Sequence, residues 1–161
     1  MRHTALAAAL ALGRLLVFAG AAPLAAADGA LDPSFNGGGG AAIPVGNWSR
    51  AWAVAAQPDG KVLIAGEAEI PNPGDSSNTA FAIARRNADG TRDTTFGPLG
   101  NGTVIVEFDL GPPGFRHDKA TSIAVGPDGR ILVCGTASGN GEQQIAVAQL
   151  TRFGVLDFNF G

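Results

Sequence analysis

The sequence predicts an all-β protein of propeller-like blades, each a sheet of four antiparallel strands, with two full repeats and the start of a third, an incomplete propeller. Three observations carry this expectation. Residues 51–66 recur as residues 120–135, each copy an apolar run, then Pro-Asp-Gly, then a second apolar run ending at Gly66 or Gly135. A short motif around Asp32 returns around Asp93 and Asp157, at spacings of 61 and 64 residues. Periods of this length with four strands per unit mark propeller blades. Finally, residues 62–65 and 131–134 are apolar at every position, whereas a sheet with one wet face alternates, so both faces of each sheet call for cover.

Each recurrent hairpin rests on turn chemistry. Pro58 and Pro127 set φ for the first central position, Asp59 and Asp128 suit the second, and Gly60 and Gly129 supply the positive φ that closes a type I turn with a bulge. The remaining strands follow by position: a first strand at 41–45 and 103–108, the hairpin as strands two and three, and a fourth at 80–85 and 144–150. The fourth strand sets Phe81 and Ile83 against Ala80, Ala82 and Ala84, which lets a neighbouring blade approach closely on the alanine side. Repeat one is expected over 28–90, repeat two over 91–154, and a third begins at 155–161.

Residues 1–27 differ in kind. Arg2, His3 and Arg14 give a positive start, 15–22 is apolar, Pro23 breaks the run, and Ala25-Ala26-Ala27 offers small residues for cleavage before Asp28. This pattern predicts a signal peptide and an exported product, periplasmic or extracellular. The single cysteine, Cys134, is far from that site, so a product soluble after cleavage is expected. Without Arg2 and Arg14, nine basic residues face 14 acidic ones, and the chain has no basic stripe, which argues against nucleic acid as a partner. Arg85-Arg86 reads as a structural pair at a strand end.

The pattern Leu-Asp-x-x-Phe-Gly, then Ala, Pro-Asp-Gly-Lys/Arg and a Gly-terminated run, then an Ala/Arg-rich strand and Asp-Gly, resembles the delta-60 repeat family over residues 29–161. The resemblance implies a β-propeller-like domain of exported bacterial proteins and brings no catalytic residue with it. Arg92 stands where the motif has leucine, Phe153 where Asp-Gly has aspartate, and the third turn is expected to be weaker for it.

The residues point to no reaction and no cofactor or metal is expected. Asp32, Asp59, Asp89, Asp93, Asp128 and Asp157 all adjoin turns, where aspartate bonds its own backbone. Cys134 matches Ala65 of the first copy and reads as a small buried thiol, and Trp52, which aligns with Thr121, reads as packed. Glycines 37–40 and the run 97–102 read as bends rather than phosphate loops, since no strand-to-helix step follows. The loops joining strands one to two and three to four share one rim and vary between the copies, so a ligand, protein or carbohydrate, is expected there. Its contact candidates are Trp48, Arg50, Glu67, Asp75, Phe115, Arg116 and His117. An enzyme alternative pairs His117 and Asp118 with Glu67, Glu69 or Asp75. Two blades have four apolar faces and stacking covers two, so the sequence also predicts either a fragment of a larger propeller or head-to-tail self-association.

Overall fold

The computed structural model describes residues 29–71, 78–110, 116–139 and 141–160; the leader expected at 1–27 lies outside them. Among the described residues seven strands form two sheets: β1 (Ser49–Ala56), β2 (Val62–Glu69), β3 (Thr79–Arg86) and β4 (Thr103–Val106) in one, and β5 (Lys119–Val125), β6 (Ile131–Gly139) and β7 (Glu142–Leu150) in the other. Within each sheet the named strands pair antiparallel and in chain order.

The Pro-Asp-Gly turns form as the sequence dictates. Gln57 N donates to Lys61 O and Gly60 N to Gln57 O, and the pattern repeats at Gly126 and Gly129. Gly60 and Gly129 take φ of 82° and 81°. The same two-bond turn closes β3 at Asn87–Thr91 and follows β7 at Thr151–Val155. At the latter, where Phe153 replaces aspartate, the Thr151 hydroxyl accepts from the Phe153 and Val155 amides, so the turn is kept by a different oxygen.

Two expectations about strands are corrected. Residues 41–45 form no strand: Pro44 removes a ladder donor, and no earlier sheet among the described residues offers an edge. The strand expected at 103–108 forms as β4 but joins the sheet before it, pairing Val106 with Phe81 and Val104 with Ile83. A blade is therefore closed by the strand that follows the next opening motif, and the second sheet has three strands among the described residues.

Gly66 and Gly135 do not end their strands. Each lies opposite a β-bulge, where pairing skips Trp52 and Thr121, respectively. A Cβ on Gly66 would sit 1.8 Å from Arg50 O, and one on Gly135 1.9 Å from Lys119 O. The glycines are required by backbone approach.

The sheets stack face to back. Leu63, Ala65, Phe81, Ile83, Val104 and Val106 of the first share one core with Ile131, Val133, Ala146, Ala148 and Leu150 of the second. In repeat terms the bulky face of blade one meets the alanine-bearing face of blade two, as the alternation in strand four predicts. In the first sheet β3 is buried on both faces, with Ala80, Ala82 and Ala84 enclosed and Arg86 beside them donating to Ala42 O. The second is not: Leu132, Ile145 and Val147, which repeat the positions of Leu63, Phe81 and Ile83, stay exposed. Cys134 lies on that same outer face, opposite Val147, and is half-buried rather than a core thiol.

The opening motifs lock one blade to the next. Gly97 N donates to Phe153 O, and the Phe96 ring fits so closely over Gly154 that a Cβ there would come within 2.6 Å of it. Asn36 N to Asp89 O, with Phe35 on Gly90, repeats the contact one unit earlier.

Candidate functional site

At the variable-loop end, the bulge turns Trp52 outward instead of into the core. It is half-exposed, which corrects the expectation that it packs, since the residue skipped in a bulge leaves the ladder. Its indole Nε1 donates to Glu67 Oε1 at 3.3 Å, and the Lys119 ammonium from β5 lies 3.7 Å from its ring centroid. Arg50 reaches Glu67 at 3.7 Å and spans the Trp48 ring at 5.1 Å. Trp48, Arg50 and Glu67, three residues singled out from sequence, thus converge. Trp52 and Lys119, which extend the cluster across both sheets, were not among the candidates. The signal for Trp52 was its alignment with a threonine, an aromatic where the other copy has a small polar residue.

Arg116 turns to Asp109 and Glu107 on the segment after β4. His117 is exposed at its side chain, while its backbone bridges to Thr79 and exchanges hydrogen bonds with the Ser138 hydroxyl. Asp75 and Phe115 lie outside the described residues. Asp118 is almost fully buried, and its carboxylate accepts from the Phe108 and Ser138 amides at 2.9 and 3.3 Å. Burial pushes its carboxyl above the usual range, against the pull of those two amides. The carboxylate thus pins the backbone of the segment after β4 to that of β6.

All six recurrent aspartates accept, through Oδ1, the amide two residues on: Ser34, Lys61, Thr91, Thr95, Arg130 and Asn159. The turn role expected from sequence is what each one performs. Asp93 does more. Its Oδ2 takes Arg85 Nε at 2.7 Å and Lys61 Nζ at 2.8 Å, so one carboxylate ties the hairpin turn to the end of β3 and to the opening motif. Burial opposes its ionisation, but Lys61, Thr95 and Arg85 outweigh it and hold the carboxyl well below the carboxylate range. Arg85 also donates to Arg152 O and lies 4.4 Å over the Phe96 ring.

Beside this cluster, at the end of the sheets opposite Trp52, a cleft of about 420 Å3 opens between the two Pro-Asp-Gly turns. Lys61, Arg85, Gln57, Arg152 and Phe153 are among its lining residues. The sequence places ligand contacts at the other rim and offers only turn chemistry here. The groove between those turns becomes visible only once the two hairpins stand side by side.

A search among curated proteins finds no match. Residues 57–96 and 126–160 match the profile of a family described as a domain of unknown function (DUF5122) beta-propeller. Each matched segment runs from a Pro-Asp-Gly turn to the phenylalanine of the next opening motif, the unit that Asp93 ties together in the first copy. With two matches set one repeat apart, the chain is a β-propeller-like repeat protein, two stretches of which are similar to the DUF5122 beta-propeller.

Proposed function

We propose that this propeller-like protein is an exported, non-enzymatic module that binds a protein or carbohydrate ligand through its variable-loop end. The cluster of Trp52, Glu67, Arg50 and Lys119 is the observation that carries the reading. It sets an aromatic surface, a nearly buried carboxylate and two cations on one solvent-facing end, held on β-strands. Export rests on the leader pattern at residues 1–27. Trp48 and Trp52 are the chain's two tryptophans, so ligand at this end shifts intrinsic fluorescence. Screening immobilised glycans and peptides, then titrating each hit, should give a saturable shift that Trp52→Ala abolishes. Hits that bind with unchanged tryptophan emission and survive Trp52→Ala contradict the reading.

A second reading, structural self-association, is favoured by the bare face of sheet two. Leu132, Ile145 and Val147 form an apolar surface on the sheet that carries the open edge strand β7. Light scattering at micromolar concentration supports it if the mass exceeds one chain and Ile145→Lys restores a monomer; a monomer throughout removes it.

A further inference from the structure

We propose that the cleft between the two Pro-Asp-Gly turns is a second binding site, built for a polyhydroxylated monocarboxylate of the size of a uronic acid. At about 420 Å3 it is in the range of small-molecule pockets. Its floor is positively charged. Lys61 and Arg85 both point at Asp93, so two cations share one carboxylate and one positive charge is left over in a region where their side chains are 26% and 5% exposed. Arg152 adds a guanidinium at the wall, lying 4.7 Å over the Phe153 ring. These groups select a carboxylate.

The other lining groups ask for hydroxyls and a ring. Gln57 lines the cleft with its Oε1 enclosed and without a hydrogen-bond donor, so the amide gains a bond when it swings toward a ligand hydroxyl. Pro58, Pro127 and the half-exposed Phe153 offer C–H and ring surface for the face of a sugar. Asp59 and Asp128 flank the mouth, and each spends Oδ1 on its own turn. Arg130 Nε pairs with Asp128 Oδ2 at 3.4 Å, so it is the charge of Asp59 that sets an upper limit: one carboxylate is accommodated and a doubly charged phosphate is repelled. Nothing in this site is shared with the variable-loop end, and the two proposals stand or fall separately.

Calorimetric titration of the purified full chain with D-glucuronate tests it, with glucose, acetate and inorganic phosphate as comparisons. Saturable binding of glucuronate is expected, with each of the other three at least about tenfold weaker, the equivalent of one lost charge-assisted or neutral hydrogen bond set. Arg152→Ala and Gln57→Leu should each weaken glucuronate about tenfold with melting temperature unchanged, while Glu142→Ala leaves it as it was. Amide NMR shifts on adding glucuronate should concentrate at Gly126, Gly129 and Phe153, which keeps the test decisive if a variant fails to fold. Absence of saturable binding overturns the proposal, as does glucose, acetate or phosphate binding as tightly as glucuronate, or shifts confined to residues outside the cleft.

Discussion

Arg85 Nε lies 2.7 Å from Asp93 Oδ2, with both side chains 5% exposed or less, and around that contact the first repeat is assembled. Lys61 joins from the hairpin turn, Thr95 from the motif itself, and Phe96 stacks beneath the guanidinium. The second repeat rebuilds the arrangement from different residues: Arg130 reaches Asp157 at 3.6 Å and Gln149 at 3.4 Å. There Arg130 is about half-exposed, so that pair is worth far less.

Removing one partner of a buried pair strands the other. Asp93→Ala should therefore destabilise by about 3 kcal/mol or more, and Asp157→Ala by clearly less, in urea unfolding. Equal losses in the two variants would show that burial does not separate the two clusters.

The sign of the pH dependence follows from the depressed carboxyl of Asp93. A group with a folded-state value below its ordinary 3.8 contributes stability that is present above that value and is lost as pH falls. Stability should thus drop on acidification below about pH 4, and Asp93→Asn should flatten that drop. Asp118 has the opposite sign: with its carboxyl raised, its contribution is present at acid pH and declines as pH rises past the ordinary value. Asp118→Asn should accordingly remove a loss on the alkaline side. Melting curves from pH 2 to 7 read both effects, and an unaltered profile in Asp93→Asn contradicts the assignment.

Gly135→Ala forces a Cβ into the Lys119 carbonyl across the bulge, and Gly66→Ala does the same at Arg50. Each should cost about 2–4 kcal/mol, against under about 1 kcal/mol for Gly38→Ala, where the added Cβ meets nothing within 4 Å. Comparable melting shifts for Gly135→Ala and Gly38→Ala would rule out the close approach.

How much of this could be read from sequence divides along local and non-local lines. Pro58-Asp59-Gly60 and Pro127-Asp128-Gly129 determine their turns within five residues, and the bulky-small alternation from Ala80 to Ala84 predicts how blades meet. Both emerge as expected. The pairing of Phe81 with Val106 was not legible, because it joins strands across an opening motif and nothing near either residue marks the partner. Trp52 and Cys134 were misplaced for related reasons: one depends on a bulge, the other on which face of β6 receives the first blade. Of the candidate site, Trp48, Arg50 and Glu67 were legible as loop-end residues, whereas Lys119 enters only through the stacking of β5 on β1. The cleft depends on the same stacking.

That stacking is the central claim, and adjacent residues of β6 test it most directly. Val133 faces the first sheet and is fully buried, while Leu132, its neighbour, faces out and is 40% exposed. In chemical denaturation at submicromolar concentration, Val133→Ala should cost about 2 kcal/mol or more and Leu132→Ala under about 1 kcal/mol, although leucine loses the larger side chain. The reverse order would mean that the sheets meet through the opposite face of blade two, and that the face-to-back arrangement described above is wrong.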